Sequence, residues 1–408
     1  MKTGRIAATL LLNLQLLFGG TALAGDAPSD VERLAADNTR FALELYSRLA
    51  VDEGNVLFSP YSISTVLAMT YAGARGETAA QMAGTLHFTL EDEQLHAAFA
   101  EAEARLRKAE RPGVQLHVAN SLWPQEGYPF LDAYMNLVKE HYGVTITPLN
   151  YKASLGAARA TINRWVEKKT QDKIKDLLLP PDLSPLTRLV LVNAIYFKAR
   201  WQTQFKPGDT RDAPFHITPE RAVQTSMMSG KPPCRYGSFP TCDVLDLPYA
   251  GGGISMTILL PKEVDGIRKL EAELSADAID RWLRELRHQD VLVFLPRFKT
   301  TCRFQLNDTL VEMGMRDAFD IVRANFAGMD GRPDNLYISA AIHKAFMEVN
   351  EEGTEAAAAT AVVMTERAMP ARPPTFRADH PFVFLIREIR TGSILFAGRI
   401  SDPNLAGN

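Results

Sequence analysis

No residue pattern that carries enzymatic chemistry occurs in this chain of 408 residues. A Gly-x-Ser-x-Gly elbow would present a serine nucleophile, and His-Glu-x-x-His would hold zinc. Gly-x-x-x-x-Gly-Lys-Ser/Thr or Gly-x-Gly-x-x-Gly would cradle phosphates, and Cys-x-x-Cys would do redox or metal chemistry; none is present. The eight histidines show no metal-ligand spacing. Gly251-Gly252-Gly253 lies between two strand-like runs and reads as a hairpin turn. Cys234 and Cys242 flank a turn-like Gly-Ser-Phe-Pro and could face each other across a hairpin; otherwise they and Cys302 are buried thiols. Asn307-Asp308-Thr309 fits the N-glycosylation triplet. What remains is Glu351-Glu352-Gly353-Thr354-Glu355 followed by AAAATAVVMTERAMPARPP. Alanine favours helix, but a glycine precedes the run and prolines follow it, and its small side chains cover no core. Taken locally, it is a surface helix or a linker.

The rest of the chain must position whatever this stretch does. Hydrophobic residues make up 46% and charged residues 23%, the balance of a soluble globular protein with ample core. A net charge of −3 points neither to nucleic acid nor to an anionic membrane. Lys2 and Arg5 precede an apolar run that continues to Phe18, and Ala22-Leu23-Ala24 supplies small residues for cleavage. Residues 1–24 therefore read as a signal peptide and the product as secreted, extracellular or periplasmic. The run is too short and interrupted to span a membrane.

Apolar positions at helical spacing over 30–50 predict a first helix, and Ser59-Pro60 opens a second that is apolar nearly all round and hence central. Residues 91–109 predict a charged amphipathic helix, 131–143 one ending at Gly143, and 160–174 another. Strands follow at 114–124, 188–201, 242–249, 254–261, 290–299, 344–350, 382–389 and 394–400. Helices lead and strands follow without βαβ alternation, which predicts one large α+β domain with its chain ends interleaved in the core.

Five blocks carry a more specific signal: FSPYSISTVLAMTYAGARGETAAQM (58–82), INRWVEKKTQDKIKDLL (162–178), LVNAIYFKARWQTQF (191–205), ISAAIHKAFMEVNEEGTEAAAAT (338–360) and FRADHPFVFLIREIRTGSILFAGRISDP (376–403). In order and spacing they resemble the serpin family of protease inhibitors, over about residue 30 to the end. The resemblance implies three β-sheets and about nine helices in a single domain, 25–408, with an exposed reactive-centre loop at about 353–375. It implies an inhibitor, not an enzyme, that needs no cofactor or metal. In inhibitory members a target serine protease cleaves the loop, becomes esterified to it in a covalent 1:1 complex and is carried away as the loop enters the main sheet.

The residues of the stretch agree with that role. Gly353, Thr354, Glu355, Ala356, Ala357, Ala358, Ala359 and Thr360 form a hinge without bulk, and no proline occurs from Gly353 to Met369. With Thr354 facing inward, Ala356, Ala358, Thr360, Val362 and Met364 follow it, and Glu355 faces out. By the family's spacing the scissile bond is Arg367–Ala368, and an arginine there suits the acidic pocket of a trypsin-like enzyme. Met364, Met369 and Arg372 are the rival positions, the last weakened by Pro373. Ser59, Ser62, Asn193 and His343 match the family's polar cluster beneath the centre of the main sheet, and Trp201 the tryptophan where the loop enters. Arg105, Arg107, Lys108 and Arg111 lie where some members bind sulfated polysaccharide. Glu101, Glu103 and Glu110 dilute them, so a solvated helix face and a monomer without polysaccharide, nucleic acid or membrane partners are expected.

Overall fold

The computed structural model describes residues 27–109, 113–333, 335–354 and 373–405, so the expected signal peptide and most of the reactive loop lie outside the described residues. Within them the chain is α+β, with ten α-helices and three β-sheets. The expected helix starts hold. Ser29 caps Asp30–Leu49, its hydroxyl accepting from the Glu32 amide. Ser59 caps Pro60–Tyr71, with Pro60 in the first turn. Asp132–Tyr142 ends at Gly143, whose φ of 58° is the left-handed value glycine tolerates.

The six-stranded main sheet runs Phe298–Gln305, Ile342–Val349, Gly353–Thr354, Leu189–Arg200, Val114–Pro124, Thr145–Ile146. A seven-stranded sheet has Val56–Phe58 beside Ile394–Ile400, then Phe382–Glu388 and Ile254–Pro261. Pairing the earliest strand with the last one interleaves the two ends of the chain, as expected. A third sheet of four strands includes Leu292–Pro296 and Thr375–Arg377, which pair in parallel. Pro60–Tyr71 touches both Leu189–Arg200 and Ile394–Ile400, and this position between two sheets is why a helix apolar on all sides is stable there.

Three local expectations change. The 290–299 run divides between two sheets, because Pro296 closes Leu292–Pro296 and Phe298–Gln305 starts in the main sheet. The helix expected over 160–174 is Leu155–Lys169. Thr170 stops it, its hydroxyl donating to the Val166 carbonyl and accepting from Ile174 N–H, and Gln171 and Asp172 turn with φ of 49° and 59°. Cys234 and Cys242 are free buried thiols, as is Cys302. The hairpin register pairs Arg235 with Asp246, so Cys234 stands beside Leu247 and far along the strand from Cys242. The amide of Asn307 is also engaged, donating to the Ser339 carbonyl at 3.0 Å and accepting from Ala341 N–H at 2.8 Å.

Candidate functional site

The candidate site is the seam in the main sheet between Leu189–Arg200 and Ile342–Val349, together with the hinge at its upper end. The chain leaves Ile342–Val349, turns at Asn350–Gly353 and starts back down. Asn350 N–H donates to Gly353 O at 2.9 Å, and Gly353 N–H donates to Asn350 O at 3.2 Å. Gly353 has φ of +148°, and a Cβ added there would collide with the Ala199 carbonyl and the Arg200 backbone. Glycine is the residue that lets the hinge pass this close to its neighbour.

Thr354 is the first residue placed between the two long strands, opposite Ala199 on one side and Val349 on the other. Its side chain points into the core and is 2% exposed, with its hydroxyl 2.7 Å from the Tyr249 hydroxyl. The inward parity expected from the sequence is observed at this position. Below Thr354, no pairing joins the two long strands among the described residues. Beneath the seam is a cavity of about 170 Å³, lined by Leu67, Val192, Ile195, Leu310, Phe326 and His343 among others.

Trp201 roofs the hinge. Its indole stacks on Tyr249 with centroids 4.6 Å apart and planes 8° from parallel, and Phe205 meets it edge-on at 6.3 Å. Its Nε1–H donates to the Asn350 carbonyl at 2.9 Å, and its backbone N–H donates to Glu352 O at 2.7 Å. One aromatic residue thus fixes the turn from which the loop departs.

Ser59, Ser62 and His343 come together below the seam. His343 Nε2 accepts from the Ser59 backbone N–H at 3.0 Å, and Ser59 Oγ accepts from the Ser62 N–H at 3.1 Å. Burial pushes the His343 imidazole down to about 3, so the ring is neutral and can accept. Asn193 stands in register with Asn120 on the neighbouring strand; its side chain lies outside what is described.

Sequence reasoning missed a second pair at the hinge. Glu351 is buried, and Arg297 donates to both its carboxylate oxygens from Nε, each at 2.8 Å, with Thr210 Oγ1 a further donor. Burial would raise the Glu351 carboxyl, but the hydrogen bonds from Arg297 and Thr210 outweigh it and hold the group below the usual carboxylate range. The pair is 54 residues apart in the chain, and no local pattern announces it. Arg367, Ala368, Glu355, Ala356, Ala357, Ala358, Ala359 and Thr360 lie outside the described residues. On the helix face expected to be solvated, Arg105 donates to Glu101 at 3.0 Å, but Glu103 is buried rather than solvated and accepts from Arg107 at 2.5 Å.

Residues 36–403 match the family model described as Serpin (serine protease inhibitor). Leukocyte elastase inhibitor A of Rattus norvegicus is 40% identical over 384 residues, covering 91% of this chain and 100% of that protein. An uncharacterized serpin-like protein of Thermococcus kodakarensis is 41% identical over 365 residues, 89% of this chain and 84% of that protein. Among solved structures, uncleaved ovalbumin superposes with a TM-score of 0.81 at 31% identity, covering 91% of this chain and all of that one. These relatives correct one expectation. The leukocyte elastase inhibitors, matched over their whole length, have no counterpart of a signal peptide, and residues 1–24 lie before the matched family region. The secreted localisation is accordingly withdrawn.

Proposed function

The chain belongs to the serpin family of protease inhibitors and is not an enzyme, and on that premise we propose that it traps a trypsin-like serine protease as a suicide substrate at Arg367–Ala368. The protease serine Oγ adds to the Arg367 carbonyl carbon. Its proton passes through the protease's base to the Ala368 nitrogen as the C–N bond breaks, leaving an ester and a free N-terminus. Hydrolysis of that ester would release the protease and waste the inhibitor. Loop insertion must therefore outrun water.

The observation that carries this reading is the placement of Gly353–Thr354 between the two long strands of the main sheet. That pairing defines a register for the segment that follows. Continued without a bulge, each residue steps one position down both neighbours, so Thr360 comes opposite Asn193 and His343, the residues singled out beneath the sheet. The parity set by Thr354 turns Ala356, Ala358, Thr360, Val362 and Met364 toward the interior, and Val362 and Met364 toward the cavity. Small residues pass first, and larger apolar ones fill the space beneath. At ~3.3 Å per residue the strand from Thr354 to Arg367 would be about 45 Å long, enough to carry a partner across the domain.

Incubation with trypsin tests the reading. The expected product on a denaturing gel is a covalent 1:1 complex, together with a released C-terminal fragment whose mass begins at Ala368. Cleaved inhibitor without complex at every ratio would sink it. The relatives named leukocyte elastase inhibitors motivate a second reading, an elastase-like target that cleaves after Met364. A complex with elastase and a fragment beginning at Thr365 would favour that one.

A further inference from the structure

We propose that Arg377, Arg211, Lys206 and Lys231 form a basic contact face on the solvent side of the four-stranded sheet, which engages an acidic surface of the target protease before the loop is cut. This inference rests on the inhibitory reading above and deepens it, because it assigns a determinant of which protease is met that lies outside the loop.

The face follows from observed pairings. The sheet runs Thr375–Arg377, Leu292–Pro296, Arg221–Gly230, Arg211–Thr218. Arg377 stands opposite Phe294, Phe294 opposite Ser229, and Arg211 opposite Met227, two residues from Ser229. Residues in register share a face, as do residues two apart on a strand, so Arg377 and Arg211 point the same way. The other face carries Phe376, Val293, Leu295 and Met228, all buried, and is the core side. Lys206 and Lys231 border the Ser229 position. Lys206 enters the short turn of helix Pro207–Asp209, whose Asp209 carbonyl accepts from Ser229 Oγ at 2.9 Å, and Lys231 follows Gly230 at the strand end. All four cations are exposed.

Two of the cations are held in place without being neutralised. The Arg377 guanidinium lies 3.6 Å from the centroid of the Phe294 ring, and Arg211 Nη1 donates to the Gly208 and Thr210 carbonyls. Among the described residues none of the four is in an ion pair. The carboxylates nearby are mostly engaged or turned away. Glu351 is held by Arg297, Asp379 Oδ1 lies 2.9 Å from His380 Nδ1, and Asp212, on the opposite face, accepts from Ser226 Oγ at 3.1 Å. Asp209 is the exposed exception. In a chain of net charge −3, this local excess of cations draws an acidic partner and speeds its encounter. The sheet is also where a protease must come. It ties the chain on both sides of residues 355–372, through Leu292 N–H donating to Pro374 O at 2.9 Å and through the Arg297–Glu351 pair. Arg377 is ten residues beyond Arg367, at most ~35 Å of extended chain, and a protease domain is roughly 40 Å across.

The test uses anionic and cationic trypsin, which share the arginine-binding pocket and differ in surface charge. Full-length protein carrying Arg377→Glu with Arg211→Glu, and separately Lys206→Glu with Lys231→Glu, is compared with the parent in the rate of complex formation. A control, Arg164→Glu with Lys168→Glu on the exposed side of Leu155–Lys169, makes the same change in net charge away from this sheet. With anionic trypsin at ~0.01 M salt both double variants should react about tenfold more slowly than the parent, and the control at the parent rate. At ~0.15 M salt the gap should narrow, because the screening length falls from ~30 to ~8 Å. With cationic trypsin it should close or invert. The melting temperature and the inhibitor consumed per protease should stay at parent values, since the face acts before the cut. Double variants that keep the parent rate with anionic trypsin, or a control that slows as much as they do, would overturn the contact face and leave the inhibitory reading standing. If the parent is cut by both trypsins without forming complex, the inhibitory reading falls, and the rate of cutting reads the contact face in its place.

Discussion

Glu351 is a buried carboxylate, and Arg297 is what lets it stay charged. Arg297→Ala leaves the charge with Thr210 as its remaining side-chain donor. The expected loss is about 2 kcal/mol in a denaturant titration, less than for a fully enclosed pair because Arg297 itself is half exposed. The folded carboxyl titrates below its unfolded value, so the pair's contribution is complete above the ordinary carboxylate range and disappears as pH falls through the depressed value. Parent and variant should therefore converge in acid; a constant gap at all pH values would count against the ion pair. His343 works in the same direction through burial. Unfolded histidine takes up a proton near 6.5, whereas the folded ring resists until about 3. Stability should be full above about pH 6.5 and fall as pH drops toward 3, by an amount on the order of 4 kcal/mol from this group. His343→Gln keeps an acceptor for the Ser59 N–H and removes the proton. Its stability should vary less between pH 6.5 and 3, and an unchanged slope would remove His343 as the cause.

At the scale of elements, the hinge strand is two residues long, and on the proposed mechanism it would decide the outcome of cleavage. Thr354 is enclosed, with its hydroxyl on Tyr249, so an arginine in its place would carry a charge into the core of the sheet. With Thr354→Arg, trypsin should still cut the loop, but insertion should stall and hydrolysis should win. The inhibitor consumed per protease should rise at least about tenfold, judged from the 1.4 kcal/mol that each decade in partitioning requires. A variant that still formed complex at one to one would show that the hinge does not insert. The elements legible in the sequence were those written along one line: the Ser59-Pro60 helix start, the Gly143 stop and the buried run Ile254–Pro261. The hairpin Arg211–Thr218 with Arg221–Gly230 was not, because its first strand buries only Phe215 and carries Pro214 in its middle, which masks the short alternation of Ala213, Phe215 and Ile217. Gly353, Trp201, Ser59 and His343 were legible through the family blocks. The contacts that make them a site were not: Tyr249 meets Thr354 across 105 residues, and Arg297 meets Glu351 across 54. A hydrogen bond between remote side chains leaves no period in the sequence.

At the scale of the molecule, the main sheet is the element with something to gain. Below Thr354 its two central strands are not joined to each other among the described residues, and a cavity of about 170 Å³ lies under them. A strand entering there would supply ladder partners on both edges and drive Val362 and Met364 into apolar space. Filling such a cavity is worth about 4 kcal/mol at ~24 cal/mol per Å³, before any backbone pairing is counted. Each kcal/mol moves the melting temperature of a large domain by roughly 2–4 °C. Protein cut at Arg367–Ala368 should therefore melt at least about 10 °C above the intact chain in scanning calorimetry. The cut Thr354→Arg protein, barred from insertion, should show no such rise. If the parent melts at the same temperature before and after cutting, the loop does not enter the sheet. The chain would then keep the family's architecture without its trap, and a carrier or storage role would become the better reading.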